Sequence, residues 1–374
     1  MHPAAIHPTL PADSRPAAVV YCEGQFARID GKTANGLVRA SERYRIVAVI
    51  DSTLAGQDAG MVLDHFPAGI PIIASLEAWP QALAKRPALL IFGLAPLSGL
   101  MTLADRSVVL AAIAEGMDVV SGLHEFLQDD LEIADAARTM NVALHDVRRP
   151  RPTKLLRMFD GAIDQVDCVR IAVLGTDGAI GKRTTSTILT KALNDAGVRA
   201  VMVCTGQTGL MQGAAHGVAL DAIPAQFGVG ELEGAIVSAW ESEHPDVIVV
   251  EGQGALSHPA YLSSTVVLRA SRPHGVVMQH APARRVLCDY PNQNMPTPSS
   301  ELALIELFGK TRVIGLTINH ENMTYAEVAA AAIAYEVELG IPATDALWGE
   351  PAALVAMVTD AFPALLMRDK RALA

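Results

Sequence analysis

The stretch that most constrains the fold is an apolar segment, VRIAVLG at 169–175, which runs directly into a glycine-rich turn and Lys182. The apolar segment predicts a buried strand, and the residues after Lys182 predict an amphipathic helix. A strand, a glycine-rich turn with a lysine and a helix are the context of a phosphate-binding loop, because backbone N–H groups of the turn and of the helix start face one anion. The predicted phosphate cradle comprises Gly175, Thr176, Asp177, Gly178, Gly181, Lys182, Arg183, Thr184 and Thr185.

The turn departs from the strict GxxxxGK[ST] pattern at two positions. Thr176 stands where the first glycine is expected, and Arg183 stands where a magnesium-binding Ser or Thr is expected. An inward Arg183 side chain would repel a metal ion, whereas an outward one could clamp another phosphate through two parallel hydrogen bonds. The sequence leaves both orientations open.

A second apolar segment, VIVVE, ends at Glu251. Open α/β sheets bind ligands at the carboxyl ends of their strands, so Glu251 is expected beside the phosphate loop. Together with Asp177 it could hold Mg²⁺. Glu251 could equally orient a substrate amine or act as a general base, and Lys182 would place a positive charge on the phosphates. We treat Glu251 and Lys182 as candidate catalytic residues.

Composition excludes several classes of function. The formal net charge is −11 and no basic block is present, which argues against nucleic-acid binding. No uninterrupted apolar run reaches about 18 residues, so no transmembrane helix or membrane partner is expected. The four cysteines are scattered without close pairs, which argues against a zinc site or a disulfide framework and favours the reducing cytoplasm.

The order of apolar and amphipathic segments predicts an α/β protein with two parallel-sheet domains. Five strands alternate with helices before Pro150, and five more follow from 169 onward. Asp51 ends the second strand, where a dinucleotide-binding fold would place a ribose contact, but the first turn lacks the GxGxxG spacing. The predicted divisions are a mobile lead-in at 1–15, a Rossmann-like domain at 16–150, a linker at 151–168 and a P-loop NTPase-like domain at 169–374. The arginines of HDVRRPRPTKLLRMF, at 145–159, are expected either in solvent or facing an anion.

Two resemblances follow from these motifs. The pattern GTDxxxGK, with EGxG after a later strand, resembles dethiobiotin synthetase, a P-loop enzyme that uses ATP and Mg²⁺. A broader resemblance covers nearly the whole chain and is to the DgcN-type family, long described as a domain of unknown function. It is carried in order by GKTANGLVR, SGLHEFLQD, LHDVRRP, GTDGAIGKRTT, CTGQTGL and EGQGALSHPAY. That resemblance implies a Rossmann-like domain, a P-loop domain and acetylation of D-glutamate or related D-amino acids by acetyl-CoA.

The family resemblance also implies roles for residues outside the loop. His258, in SHPAY, is a candidate general base, because a neutral imidazole can take a proton from an attacking amine. Arg284 could receive a substrate carboxylate. The candidate substrate-binding residues are Thr205, Gln207, Thr208, Gln253, His280 and Arg284.

Two functions lead from the sequence, ahead of a nucleotide-sensing or redox role. In the first, an N-acetyltransferase binds acetyl-CoA at the phosphate loop without a metal, and its partner is a small amino acid. In the second, an ATP-dependent ligase or kinase uses Mg²⁺ held by Asp177 and Glu251. The family resemblance favours the first, whereas the loop alone would favour the second. A homo-oligomer is possible through the alanine-rich helix YAEVAAAAIAYEVELG.

Overall fold

A computed structural model of the chain describes residues 13–367, so most of the expected lead-in at 1–15 lies outside the described residues. These residues form two compact units. The first comprises 13–95, 101–121 and 125–146, and the second comprises 96–100, 122–124 and 147–367.

The first unit is a parallel sheet with helices between its strands, ordered β3-β2-β1-β4-β5-β6 within its described residues. Its sixth strand, missing from the sequence prediction, is too short and polar to be recognised from periodicity. The strands are β1 (Ala17–Tyr21), β2 (Arg45–Ile50), β3 (Ile72–Ile73), β4 (Leu89–Phe92), β5 (Asp118–Ser121) and β6 (Leu144–Asp146). The helices are α1 (Lys32–Arg39), α2 (Ala59–Asp64), α3 (Trp79–Ala82), α4 (Leu103–Ala114) and α5 (Leu131–Met140), with 3-10 turns at Ile29–Gly31, Ser52–Leu54, Leu76–Ala78 and Leu127–Asp129.

Asp51, at the end of β2, is fully buried and is used inside the first unit. Its carboxylate accepts hydrogen bonds from the backbone N–H of Phe26 at 3.1 Å and from the Thr53 hydroxyl at 2.6 Å. These bonds fix the turns after β1 and β2, so the structure gives Asp51 a local role at the position where a ribose contact was considered.

The second unit contains a larger parallel sheet, ordered β15-β14-β11-β7-β10-β8-β9 in its described part, and a separate β12–β13 hairpin. Its strands are β7 (Val169–Gly175), β8 (Ala200–Cys204), β9 (His216–Gly217), β10 (Val247–Glu251), β11 (Gly275–His280), β12 (Val286–Leu287), β13 (Tyr290–Asn294), β14 (Val313–Ile318) and β15 (Ala343–Asp345). Its helices are α6 (Lys182–Asp195), α7 (Gln207–Gln212), α8 (Ala225–Glu243), α9 (Ser263–Ser271), α10 (Pro298–Gly309), α11 (Tyr325–Leu339) and α12 (Pro351–Ala361). Its 3-10 turns are Thr153–Leu155, Ala162–Gln165, Leu220–Ala222 and Pro363–Met367.

Strand β7 lies at the centre of this sheet and faces two hydrophobic cores. Ala172 and Leu174 pack in the core that includes residues of α8, α9 and α10, whereas Ile171 and Val173 pack in the core that includes residues of α6 and α12. Successive side chains of a strand point to opposite faces, so a strand covered on both faces must be apolar throughout. The α/β class and the two parallel sheets predicted from the sequence are therefore confirmed.

Helix α11 is the alanine-rich segment in which the sequence suggested an oligomer contact. Within the described residues only its Val328 is buried, while Ile333 is 64% and Val337 is 83% exposed. The homo-oligomer stays a prediction. No helix within 13–367 is sufficiently long and apolar to cross a membrane.

The segment between the two sheets packs onto α8 through Glu233. This buried carboxylate accepts hydrogen bonds from the backbone N–H groups of Asp160 and Ile163, each at 3.1 Å. The residues predicted as a linker, 151–168, therefore include a turn, Ala162–Gln165, that is fixed to helix α8 of the second unit. The predicted domain limits themselves stay predictions.

Replacing Glu233 with alanine is expected to destabilise the second unit by about 2 kcal/mol, because two backbone donors lose their acceptor. Thermal and urea unfolding measure the change. Glu241→Ala, an exposed position on the same helix, is the matched control and is expected to change stability by less than about 0.5 kcal/mol. Equal effects of the two substitutions would contradict the anchoring role.

Candidate functional site

The predicted phosphate loop joins the central strand of the second sheet to helix α6. It spans 176–181 and ends at Gly181, whose φ of +100° places the turn in the left-handed region directly before Lys182. The loop thus delivers the N-terminus of a 14-residue helix to the carboxyl edge of the sheet. Free N–H groups and the helix dipole at such an end favour an anion, so the loop fits a phosphate group.

Lys182 is 5% exposed and its Nζ donates to the backbone carbonyl of Asp177. Burial lowers the pKa of Lys182 to about 8, although Asp177 opposes this shift. The ammonium group therefore lies folded over the loop and is charged at neutral pH. Its hydrogen bond to a neutral carbonyl leaves its charge available to a phosphate.

Asp177 is fully buried and belongs to a network that ties the loop to Arg284, before the β12–β13 hairpin, and to Cys288, in its turn. Its carboxylate accepts from the N–H of Gly178 at 2.7 Å, from the N–H of Cys288 at 2.9 Å and from Arg284 Nη1 at 2.9 Å. Arg284 also pairs with Glu321 at 2.7 Å. The structure thus joins Asp177, the predicted metal ligand, to Arg284, the predicted carboxylate receptor. Both roles stay predictions.

Arg183 turns inward, towards the end of β10. Its Nη1 lies 3.5 Å from Glu251 Oε2, and both side chains are largely buried. Glu251 also accepts a hydrogen bond from the N–H of Thr205 at 3.2 Å. Burial raises the pKa of Glu251, and Arg183 acts in the opposite direction. The Arg183 guanidinium group therefore occupies the position beside Glu251 that a metal cation bound by this carboxylate would take.

Glycine at 209 gives Arg183 the space for this orientation. A Cβ on Gly209 would lie 2.4 Å from Arg183 Nη1, so any larger residue in α7 would displace the guanidinium group or the helix. The GQTG part of the CTGQTGL motif thus supports the ion pair. Among residues 13–367, no group of three or more His, Cys, Asp or Glu side chains is arranged to hold a metal ion.

The other predicted substrate-binding residues are distributed around Glu251 and β11. The Thr205 hydroxyl donates to the Glu251 carbonyl at 3.0 Å, and Gln253 Nε2 donates to the Thr205 carbonyl at 2.6 Å. Gln207 instead contacts Arg148: Arg148 Nη2 donates to Gln207 Oε1 at 2.9 Å. Thr208 follows Gln207 in the first turn of α7. Thr205 and Gln253 thus belong to the Glu251 cluster, whereas Gln207 connects to another part of the unit.

Hydroxyl groups of the loop bond to strand β11. The Thr176 hydroxyl lies 2.9 Å from His280 Nδ1, and the Thr185 hydroxyl donates to Gln279 Oε1. Burial lowers the pKa of His280 to about 4, so its ring is neutral near pH 7. Thr184, the nearest hydroxyl after Arg183, is half-buried. The structure therefore places His280 directly behind the loop.

His258 is 6% exposed and stacks on Tyr261 with a centroid distance of 4.2 Å. Its Nδ1 accepts from the N–H groups of Ala260 at 3.1 Å and Tyr261 at 3.3 Å. Burial lowers the pKa of His258, which keeps the ring neutral. With Nδ1 accepting, the neutral ring carries its proton on Nε2. This buried Nε2 has no hydrogen-bond partner within the described residues.

Sequence reasoning missed the residues that fix the loop bearing His258. Buried Glu301, in α10, accepts from the N–H of Leu256 and from the Ser257 hydroxyl at 2.6 Å. Asp289 accepts from the Tyr261 hydroxyl at 2.6 Å. Both carboxylates lie far along the chain from their partners, and no local spacing marks them.

Comparison with known protein families finds a match for each of the two domains. Residues 157–355 match the P-loop domain described as DUF1611_C, a domain of unknown function, and residues 52–150 match the Rossmann-like domain DUF1611_N. The chain belongs to the DUF1611 family. The Rossmann-like and P-loop identities predicted for its two domains are confirmed.

Relatives of this DUF1611 protein include one solved structure and two named enzymes. A crystal structure of a DUF1611 protein from Anabaena variabilis is 28% identical, with a TM-score of 0.85, and the match covers 92% of this chain and 100% of that one. A protein of Tritonibacter scottomollicae named D-glutamate N-acetyltransferase is 29% identical over 262 residues, 68% of this chain and 76% of the relative. A protein of the same name from Pseudoalteromonas sp. is 28% identical, over 69% of this chain and 77% of the relative.

Arg183→Met is expected to make the stability of this DUF1611 protein more sensitive to pH. Without Arg183, the pKa of buried Glu251 rises further above its ordinary value of 4.5. A carboxyl with a raised folded-state pKa loses stability as pH rises from its unfolded value through its folded one. We expect Arg183→Met to lower the free energy of unfolding by about 3 kcal/mol at pH 8 and by less at pH 5, as measured by urea unfolding.

Two variants control for this effect. Lys191→Met removes an exposed ion pair with Asp195 on the same helix and is expected to cost less than about 0.5 kcal/mol at either pH. Arg183→Met combined with Glu251→Gln removes both charges and should abolish the pH dependence. A penalty that is the same at pH 5 and pH 8 would show that Arg183 acts by packing alone.

Proposed function

We propose that this protein is an N-acetyltransferase that moves an acetyl group from acetyl-CoA to the amine of a small amino acid, D-glutamate or a related D-amino acid. The names of the two relatives support this reaction. The proposed setting is the cytoplasm, which suits four cysteines that form no disulfide among residues 13–367.

The inward position of Arg183 is the observation that carries the choice of donor. In a P-loop that uses Mg²⁺, the residue after the loop lysine supplies a hydroxyl to the metal. Here that residue is a cation 3.5 Å from Glu251, the acidic group of the strand end. Coenzyme A presents phosphates and needs no metal, so a loop with Lys182 and a helix N-terminus, whose acidic strand end is already compensated by Arg183, suits it better than Mg²⁺-ATP.

The proposed reaction is direct attack of the amine on the thioester. The nitrogen lone pair forms the N–C bond, the C–S bond breaks, and the sulfur leaves as a thiolate that is then protonated. Glu251 is the proposed acceptor of the amine proton, because it ends β10 beside the phosphate loop and burial raises the pKa of its carboxyl, which makes the carboxylate a stronger base. Neutral His258, with its proton on Nε2, is proposed to donate to the carbonyl oxygen as negative charge develops. This assigns His258 a donor role in place of the general-base role expected from the sequence.

An ATP-dependent ligase or kinase is the second candidate, and it rests on the buried position of Lys182 beside a helix N-terminus. In that function Lys182 would bind the phosphates, and Glu251 would need to exchange Arg183 for Mg²⁺. The ion pair must then break when the nucleotide binds, which the first candidate does not require.

Calorimetry with acetyl-CoA in EDTA tests the donor. We expect binding without metal and a loss of affinity of about 10- to 100-fold in Lys182→Ala, the range for removal of a charged hydrogen-bond donor. Lys191→Ala, on the exposed face of the same helix, is the control and should bind normally. Tight ATP binding that requires Mg²⁺, without affinity for acetyl-CoA, would replace the proposal with the ligase or kinase.

The affinity for acetyl-CoA is also expected to depend on pH through Lys182. Because the pKa of Lys182 is lowered to about 8, the phosphate site loses its charge as pH rises above that value. Affinity should fall by up to about tenfold per pH unit between pH 8 and pH 9.5. Lys182→Arg keeps its charge throughout and should bind equally at both ends of this range. The same slope in both proteins would assign the pH dependence to another group.

A further inference from the structure

An arginine-lined cavity lies within the second unit, apart from the phosphate loop. Its volume is about 360 Å³, within the range of small-molecule sites. Leu210 and Ile223 contribute apolar surface to its lining. Its wall also carries basic side chains from the segment that the sequence indicated as a proline-broken basic stretch: Arg148, Arg149, Arg151 and Arg157.

The charges of this wall are only partly compensated. Arg148 is neutralised by Asp221, with its Nη2 2.7 Å from the carboxylate. Glu231 accepts from Arg151 Nη2 at 2.5 Å and from the backbone N–H of Arg157 at 2.6 Å. Glu231 is the single carboxylate in the lining, so Arg151 and Arg157 together carry one positive charge more than it compensates.

Arg157 is the arginine best placed to receive a ligand. Within the part of the chain that the structure describes, its guanidinium group makes no hydrogen bond or ion pair; only its backbone N–H is engaged. The side chain lies along α8 at Gly234, where an added Cβ would stand 2.2 Å from Nη1 and 2.7 Å from Cδ. Glycine at 234 thus allows a guanidinium group to lie against the helix backbone on the cavity wall.

The cavity is connected to the Glu251 cluster through helix α7. Leu210 of this helix lines the cavity, and its first residue, Gln207, accepts a hydrogen bond from Arg148 at 2.9 Å. Thr205, directly before the helix, donates its N–H to Glu251 at 3.2 Å. Six residues of helix span roughly 9 Å, so a small ligand in the cavity lies one short helix away from the proposed base.

We propose that this cavity is the carboxylate-binding part of the acceptor site, with Arg157 as the residue that binds the side-chain carboxylate of an acidic amino acid. This inference rests on the proposed acetyl transfer. A guanidinium group offers a planar pair of donors that matches a carboxylate, and the apolar lining residues Leu210 and Ile223 suit the carbon chain between the two ends of an acidic amino acid. A phosphate of the donor has the same charge chemistry, so the test must separate the two.

Two variants displace or remove the Arg157 guanidinium group by different means. Gly234→Ala moves it by steric contact without changing the charge, and alanine favours the helix by about 1 kcal/mol. Arg157→Ala removes it. The matched controls are Gly228→Ala in the same helix, where a Cβ would meet Val266 at an ordinary 3.6 Å, and Arg269→Ala, an arginine that lies over Phe308 elsewhere in the unit.

Calorimetry on the full chain measures the affinity of each variant for D-glutamate, D-alanine, inorganic phosphate and acetyl-CoA. We expect both test variants to bind D-glutamate about tenfold or more weakly, with acetyl-CoA affinity and thermal stability retained, and both controls to behave as the unmodified protein. D-alanine, which has one carboxylate fewer, should bind more weakly than D-glutamate to the unmodified protein.

Other outcomes would overturn the assignment. Unchanged D-glutamate affinity in both folded test variants would show that the cavity does not bind the acceptor. A loss of affinity for acetyl-CoA or inorganic phosphate, with D-glutamate binding retained, would assign Arg157 to the donor's phosphates. If D-glutamate binding falls as expected but no acetyl group is transferred from acetyl-CoA, the cavity assignment stands and the proposed reaction fails.

Discussion

The organisation of the second unit depends on the compensation of two buried carboxylates at the carboxyl edge of its sheet. Asp177 is paired with Arg284, and Glu251 is paired with Arg183. An uncompensated charge at such depth costs several kcal/mol, so each arginine must be held near its acid before any ligand arrives. The first pair ties the phosphate loop to the segment before the β12–β13 hairpin, and the second joins α6 to β10. The shape of the loop is therefore fixed by charge pairing as well as by its glycines.

Local sequence patterns predicted the parts of this arrangement that depend on residues close together in the chain. The apolar run at 169–175, the glycine-rich turn and Lys182 lie in the strand, loop and helix that their spacing indicated. Glu251 closes β10 as expected, because a buried strand of a parallel sheet is recognisable from its continuous apolar sequence. The sixth strand of the first unit and β15 were not predicted, because a strand of three residues is too short to show a hydrophobic period.

The direction of Arg183 could not be predicted, because it is decided by residues distant in sequence. Gly209 removes the side chain that would block the guanidinium group, and Glu251 supplies the charge that attracts it. The tautomer of His258 could not be predicted from the sequence either. It is determined by two backbone N–H groups that donate to Nδ1 only in the folded loop. A histidine in a motif indicates a titratable ring, but only its neighbours determine which nitrogen carries the proton.

The basic segment after the first sheet shows how a stretch that resembles a linker can take part in a site. Glu233 fixes Asp160 and Ile163 to α8, and Glu231 fixes the backbone of Arg157 three residues earlier. These two acids of one helix hold the main chain, while the guanidinium group of Arg157 has no hydrogen bond or ion pair within residues 13–367. A rigid backbone that carries such a cation lowers the entropy lost on binding, because less of the chain must be ordered by the ligand. The same helix that anchors the segment thus prepares its arginine to bind an anion.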